Sequence, residues 1–227
     1  MDIAGLLGDP GAFHARFQPI VSVATRRPVA YEALLHTEDR AVTPRSVFAA
    51  AAAAGRLADL DRVAREVAIR DAGGWLGDAL LFVKLAAAPG DLPPDWLDSM
   101  RAVAGAAGVP LRQVVLEVVQ PAPGEPLART ARIVTRCRGA GCCVALVGAD
   151  DPRVVRNLAA ALLPDYVTLD RTIVARLPSP DAEAVLEAAG EARVIAFGVE
   201  DEAQHAAVER LGVPWAQGWL YGRPERR

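Results

Sequence analysis

Two carboxylates, one ammonium group and one carboxamide are the side chains of this sequence best placed to do chemistry together. Glu32, Lys84, Glu117 and Gln217 each lie near the end of a predicted strand. If those strands close into a barrel, their C-terminal ends meet at one face, where barrel proteins carry their active sites. Carboxylates buried at such a face need a metal ion, a positive side chain or a proton. The sequence therefore predicts one polar cluster.

Short apolar runs alternate with helical patterns along the chain, which is the rhythm of β/α units. Residues 24–28 alone separate the first two runs, a length that suits a hairpin and an antiparallel start. Thr43 before Pro44 is a typical helix start, and Ser179 before Pro180 repeats it. The predicted strands are 16–23, 29–35, 80–86, 113–119, 142–147, 165–169, 193–197 and 214–217. We predict an α/β fold of the (β/α)8, TIM-like barrel type, with residues 1–12 as a short leader and 13–227 as one domain.

The composition is that of a globular domain and excludes several classes of function. Of the 227 residues, 52% are hydrophobic and 23% are charged, which is enough for a full core. A net charge of −3 gives no sign of nucleic-acid binding. No apolar run reaches the roughly 18 residues of a membrane span, and no signal peptide is evident. Three cysteines make no disulfide framework. We expect a cytoplasmic protein.

Three motifs near the ends of the chain carry a resemblance to a known family. They are residues 17–21 (FQPIV), 31–35 (YEALL) and 217–224 (QGWLYGRP). They resemble the motifs of the EAL domain, the family of cyclic di-GMP phosphodiesterases, over about residues 13–225. The resemblance implies a barrel whose first strand is antiparallel. It also implies a reaction in which two divalent cations, Mg²⁺ or Mn²⁺, activate a water that attacks a phosphodiester.

Carried over position by position, the resemblance implies that most of the catalytic residues are lost. Glu32 and Glu117 match two of the family's metal-binding glutamates, and Gln217 matches the C-terminal motif. The other positions are replaced: Lys84 stands for an Asn, Val147 and Gly148 for two Asp, Thr168 for the Lys that positions the water, and Phe197 for a Glu. We therefore expect no catalytic residues, no bound metal and no cofactor. A shifted register that would use Asp150 or Asp151 instead is disfavoured.

Lys84 would place an ammonium group among the carboxylates, where the family places a cation. We predict that Lys84 lies within ion-pairing distance of Glu32 or Glu117 and acts as a fixed internal counter-charge. Simpler interpretations stay open. Glu32 could be a surface charge, Glu117 a solvent-facing strand residue and Gln217 a turn residue, with Phe197 in the core.

Residues that hold the ligand in the family are better preserved than those that hydrolyse it. The candidate ligand-binding residues implied by the resemblance are Gln18, Glu32, Leu34, His36, Gln217 and Pro224. His36 replaces an arginine that pairs with phosphate in the family, and a neutral imidazole is a weaker partner for phosphate. Binding of cyclic di-GMP is therefore expected to be weak.

Two classes of function follow from these replacements. The first is a degenerate, non-hydrolytic signalling protein that acts by protein–protein interaction with an unknown signalling partner and retains residual cyclic di-GMP binding. The alternative is a metal-independent cyclic di-GMP receptor. An active phosphodiesterase would need metal ligands that the sequence lacks. A homodimer is left open, because the region after the fifth strand lacks the family's usual loop.

Overall fold

The computed structural model describes residues 2–9, 11–39, 42–88, 90–119 and 126–227. Within these ranges the strands form a closed barrel in chain order. The strands are β1 Phe13–Ser22, β2 Pro28–Thr37, β3 Leu80–Leu85, β4 Val114–Val119, β5 Cys143–Ala149, β6 Tyr166–Leu169, β7 Arg193–Phe197 and β8 Trp215–Gln217. β1 is antiparallel to both of its neighbours, β2 and β8, and the other pairs are parallel. The predicted (β/α)8 barrel with an antiparallel first strand is confirmed.

Helices surround the barrel and connect its strands. They are α1 Ile3–Gly8, α2 Pro44–Ala53, α3 Leu57–Ala72, α4 Trp96–Ala107, α5 Leu127–Gly139, α6 Pro152–Leu162, α7 Arg171–Val174, α8 Pro180–Ala189 and α9 Glu202–Arg210, with a 3₁₀ turn at Leu111–Gln113. The predicted starts of α2 and α8 are confirmed, because Thr43 caps α2 in a reciprocal capping box and Ser179 caps α8. No helix among the described residues is both long and apolar enough to span a membrane.

The predicted hairpin is longer than the sequence pattern indicated. Pairing of β1 with β2 runs from Phe13 opposite Thr37 to Val21 opposite Pro28. β1 therefore begins three residues before the predicted 16–23. Residues before it are also ordered against the domain, since α1 buries Ile3 and packs on α2 and α3.

The barrel interior is filled in layers, because alternate residues of each strand point inward. One apolar layer consists of Ile20, Ala30, Phe82, Val115, Ala145, Tyr166 and Ile195. A polar layer lies next to this apolar layer, on the side of the C-terminal ends of the parallel strands. Each of its residues is two positions from an apolar one: Glu32 follows Ala30, Lys84 follows Phe82 and Glu117 follows Val115, whereas Gln18 precedes Ile20 because β1 is antiparallel. We call this open end of the barrel the mouth. The apolar layer seals the barrel below it.

A buried ion pair fixes α3 against the loop that follows β3. Asp61 and Arg65 lie one helical turn apart, pair with each other, and each side chain is 1% exposed. Asp61 also accepts a hydrogen bond of 2.5 Å from the backbone N–H of Ala86. Burial lowers the pKa of Arg65 to about 10, although nearby Glu66 opposes the shift. This pair therefore holds the segment just beyond Lys84.

Candidate functional site

Glu32 is the centre of a hydrogen-bonded cluster at the mouth. Its Oε1 lies 2.5 Å from the Nζ of Lys84, and its Oε2 accepts a 2.7 Å hydrogen bond from Nε2 of Gln217. Nε2 of Gln217 also donates to Oε1 of Gln18 at 3.2 Å, and Gln18 donates to the Gly222 carbonyl at 3.1 Å. Both oxygens of Glu32 are therefore satisfied by protein groups. The predicted ion pair between Lys84 and Glu32 is confirmed.

The Lys84 side chain brings a small, positively charged ammonium group to Glu32. Burial lowers the pKa of Lys84, but the charges of Glu32 and Glu117 and the hydrogen bond to Glu32 outweigh that effect, so its pKa is raised above the ordinary value. Lys84 is the only lysine in the sequence. A small ammonium group can occupy the position of a metal ion, whereas a planar guanidinium needs more room. The side chain of Lys84 is 47% exposed, so water screens the pair on its outer side.

Glu117 lies beside this pair but is not hydrogen-bonded to it. Glu117 is opposite Lys84 in the pairing of β3 with β4. It is 4% exposed, and its Oε2 has no hydrogen-bond partner among the described residues. Burial first and the charge of Glu32 second raise the pKa of Glu117 to about 8, while Lys84 opposes the shift. A proton on Glu117 at neutral pH accounts for this carboxyl group without a metal ion. The interpretation of Glu117 as a solvent-facing residue is wrong.

Substituting Glu117 by glutamine is expected to change how stability depends on pH. The native pKa of Glu117 lies above that of the unfolded chain, so the native state binds more protons between about pH 5 and pH 8. Wild-type stability should therefore fall as pH rises through that window. The free energy of unfolding of the Glu117→Gln protein should fall less over the same window. Relative to wild type, the variant should therefore be more stable by about 1–3 kcal/mol near pH 8 than it is near pH 5. Denaturant unfolding across this window measures the difference, and parallel pH profiles for the two proteins would contradict it.

The opposite half of the mouth carries few oxygen ligands. The hydroxyl of Thr168 accepts a 3.1 Å hydrogen bond from the N–H of Gly148, and Val147 and Phe197 are half-buried. Asp151 caps α6 by accepting from the N–H of Arg153 at 2.8 Å. The shifted register therefore does not direct Asp151 into the mouth.

The side chains at the mouth do not fit a two-metal centre. Its carboxylates are Glu32, which is bonded to Lys84 and Gln217, and Glu117, whose pKa is raised. Mg²⁺ and Mn²⁺ need several oxygen ligands, and the remaining family positions supply an ammonium group, a hydroxyl group and apolar side chains. In the part of the chain that the structure describes, no group of three His, Cys, Asp or Glu residues could hold a metal.

A cavity of about 360 Å³ opens beside the Lys84–Glu32 pair. Three of the predicted ligand-binding residues line it together with Lys84: Leu34, His36 and Pro224. Pro44 and Phe48 of α2 and Ala64 and Ala68 of α3 form an apolar wall. Gln18, Glu32 and Gln217 lie in the adjacent hydrogen-bonded cluster instead. The predicted ligand-binding residues thus fall into one cavity and one neighbouring polar cluster.

His36 has a defined tautomer at this cavity when it is neutral. Its Nδ1 is 3.0 Å from the carbonyl oxygen of Leu34, which can only accept, so Nδ1 carries the proton. Its Nε2 is then an acceptor, which makes neutral His36 unsuited to contact a phosphate. Its ring also stacks on His14 at 6.0 Å.

Sequence reasoning missed Arg16 as a residue of the mouth. Arg16 lies opposite Leu34 in the β1–β2 pairing, two residues from Gln18 and therefore on the same face of β1. Its Nε is buried and has no hydrogen-bond partner among the described residues. The alternation that placed Gln18 inside the barrel was the signal that could have identified it.

A larger cavity of about 980 Å³ lies between α6 and α8, at the opposite end of the barrel. It is lined by the starts of strands, among them Tyr166 and Arg193, and by Leu163 at the end of α6. The larger volume does not make it the better candidate, because the polar cluster built by the inward strand positions is at the mouth.

The family model of the EAL domain matches residues 7–224, and the chain belongs to the EAL domain family. Among solved structures, the chain is 22% identical to PaMucR phosphodiesterase in a c-di-GMP complex, covering 94% of this chain and 92% of that one, with a TM-score of 0.80. It is 25% identical to Klebsiella pneumoniae BlrP1 in a manganese/cy-diGMP complex, with a TM-score of 0.82, covering 96% of this chain but only 56% of that one. It is 22% identical to the Xanthomonas citri FimX EAL domain in complex with c-diGMP, covering 95% and 88% of the two chains, with a TM-score of 0.79. No curated protein matches the chain.

Proposed function

We propose that this chain is a non-hydrolytic EAL domain that binds cyclic di-GMP without metal and passes the signal to a partner protein. The observation that carries the proposal is the ion pair between Lys84 and Glu32. The ammonium group of Lys84 is hydrogen-bonded to one oxygen of Glu32, the glutamate of the EAL motif, and Gln217 is hydrogen-bonded to the other. A divalent cation that bound Oε1 would have to displace Lys84 and would meet its positive charge.

Loss of hydrolysis follows from the replacements around this pair. Thr168 takes the place of the lysine that positions the attacking water in the family, and its hydroxyl is already bonded to the backbone of Gly148. Phe197 brings no oxygen to the mouth. Without an activated water, a phosphodiester bound at the mouth would stay intact.

Cyclic di-GMP is proposed as the ligand because the surfaces suited to bases and phosphates are kept. Leu34 and Pro224 face the 360 Å³ cavity, whose apolar wall suits a planar base. Lys84 supplies a positive charge at the same cavity. The related EAL structures from K. pneumoniae and X. citri contain this dinucleotide. The cavity thus gives more weight to the receptor than the sequence alone did.

A second candidate function is an interaction module whose mouth takes no nucleotide. Trp219 favours it, because this large side chain is 56% exposed two residues after Gln217, and the guanidinium of Arg223 lies over its ring, 4.2 Å from the centroid. Tryptophan and arginine are enriched among the residues that dominate protein–protein interfaces. In this case the mouth would be vestigial and the partner alone would define the function.

Calorimetric titration of cyclic di-GMP, once with Mg²⁺ and once with a chelator, tests the proposal. We expect the same affinity under both conditions and no linear dinucleotide product after prolonged incubation. Binding that requires Mg²⁺, or product formation with Mg²⁺ or Mn²⁺, would contradict a metal-free, non-hydrolytic site. Absence of heat in both titrations would favour the interaction module.

A further inference from the structure

Arg16 brings a second cation to the mouth, on the far side of β2 from Lys84. Strand order places β2 between β1 and β3, so its inward residues Glu32 and Leu34 are flanked by Arg16 on one side and Lys84 on the other. Adjacent strands are about 4.8 Å apart, so the two cation-bearing strands are roughly 10 Å apart. Of the two cations, Lys84 is the one that is paired with the carboxylate of Glu32.

Arg16 itself has no acidic partner in the described part of the chain. Among the described carboxylates none forms an ion pair with Arg16, and its Nε–H is buried without a described acceptor. Both glutamates of the hairpin are engaged elsewhere: Glu32 with Lys84 and Gln217, and Glu38 with His14 at 3.3 Å and Arg226 at 3.0 Å. A buried donor without an acceptor is unfavourable, and a bound anion would satisfy it.

The surroundings of Arg16 indicate which kind of anion fits. Leu34, directly opposite Arg16, lines the apolar cavity together with His36 and Pro224. A ligand seated there would have an apolar, planar body, and an attached anionic group would reach the guanidinium on β1. Arginine binds phosphate oxygens through two parallel N–H donors, which a neutral imidazole cannot offer.

We propose that Arg16 is the phosphate-binding residue of the mouth and contacts a phosphodiester oxygen of the ligand whose base occupies the Leu34 cavity. The inference rests on the proposed binding of cyclic di-GMP and deepens it by assigning a phosphate contact to β1. It also assigns to Arg16 a contact that neutral His36 cannot make. The Lys84 ammonium stays with Glu32 and neutralises the floor of the site.

The test compares cyclic di-GMP affinity of the wild type with that of the Arg16→Gln protein. One lost charge-assisted contact should weaken binding by about 10- to 100-fold. Arg16→Lys keeps the positive charge but not the two parallel N–H donors of arginine, so it should restore part of the lost affinity. Arg112→Gln is the matched control, because Arg112 is exposed in the 3₁₀ turn before β4 and has no ion pair among the described residues. It should bind within about 2-fold of wild type.

A second probe separates the role of Arg16 from the identity of the ligand. Inorganic pyrophosphate is added while the Nε–H signal of Arg16 is followed by NMR. Equal cyclic di-GMP affinity in wild type and Arg16→Gln would overturn the proposal and leave the receptor function standing. A pyrophosphate-induced shift without cyclic di-GMP binding would support the phosphate contact and overturn the receptor function. No response to either ligand would overturn both. Thermal melting of Arg16→Gln should match wild type, because the substitution removes no hydrogen bond or ion pair to a residue that the structure describes.

Discussion

Replacing Arg65 by methionine should lower the free energy of unfolding by about 3–5 kcal/mol. Arg65 and Asp61 are both about 1% exposed, and no water can solvate the carboxylate that the substitution would leave behind. Asp61 would keep its hydrogen bond from the Ala86 N–H but lose its positive partner. Urea unfolding followed by far-UV circular dichroism measures the loss as a lower midpoint at unchanged slope.

Arg62→Met is the matched control for Arg65→Met on the same helix. Arg62 forms an i,i+4 pair with Glu66, but its side chain is 43% exposed, so we expect a change of only about 0–1 kcal/mol. A double substitution, Arg65→Met with Asp61→Leu, should recover much of the stability, because no unpaired buried charge remains. If Arg65→Met and Arg62→Met lower the free energy of unfolding equally, the burial of the Asp61–Arg65 pair does not make it more important for stability than an exposed pair.

Replacing Lys84 by methionine should destabilise the protein by about 1–3 kcal/mol and weaken cyclic di-GMP binding about 10-fold or more. The substitution keeps the apolar length of the side chain but leaves the buried carboxylate of Glu32 with only Gln217 as partner. The Glu32 carboxylate would then face the ligand phosphates without a positive charge beside it. The cost is smaller than for Arg65 because Lys84 is 47% exposed. Denaturant unfolding and calorimetric titration measure the two effects.

The Lys84→Asn variant tests whether the positive charge of Lys84 keeps a metal ion away from Glu32, or whether the side chain only fills space. An amide at this position supplies an oxygen and frees one oxygen of Glu32, so Mn²⁺ should raise the melting temperature of this variant while leaving wild type unchanged. If Mn²⁺ stabilises the wild type as much as Lys84→Asn, the ammonium group does not exclude the metal. Lys84→Met should not respond to Mn²⁺, since methionine is a poor ligand for a hard cation.

Periodicity and helix caps were enough to predict the barrel. Each strand was a short apolar run, and the Thr43–Pro44 and Ser179–Pro180 starts are local signals that do not depend on tertiary context. The hairpin length was underestimated because Phe13 and Thr37 pair beyond the apolar run, where backbone pairing rather than hydrophobicity extends the strands.

Sequence predicted the site less completely than the fold. The Lys84–Glu32 pair could be predicted because both residues lie at strand ends and carry opposite charges. Arg16 was missed, although its spacing of two residues from Gln18 on β1 puts both side chains on the same face of the strand. Asp61 and Arg65 have the i,i+4 spacing of an ordinary surface pair, and only the packing of α3 on the barrel buries them.

The most direct test of the proposal that Lys84 takes the place of a metal ion beside Glu32 is to titrate the single lysine. With isotope-labelled lysine the protein gives one side-chain NMR signal, which reports on Lys84 alone. We predict a pKa above the ordinary value of about 10.4 and a signal that excess Mg²⁺ leaves unchanged. A pKa at or below the ordinary value, together with a shift of the signal on adding Mg²⁺, would show that the cation displaces the ammonium group from Glu32 and would contradict the account.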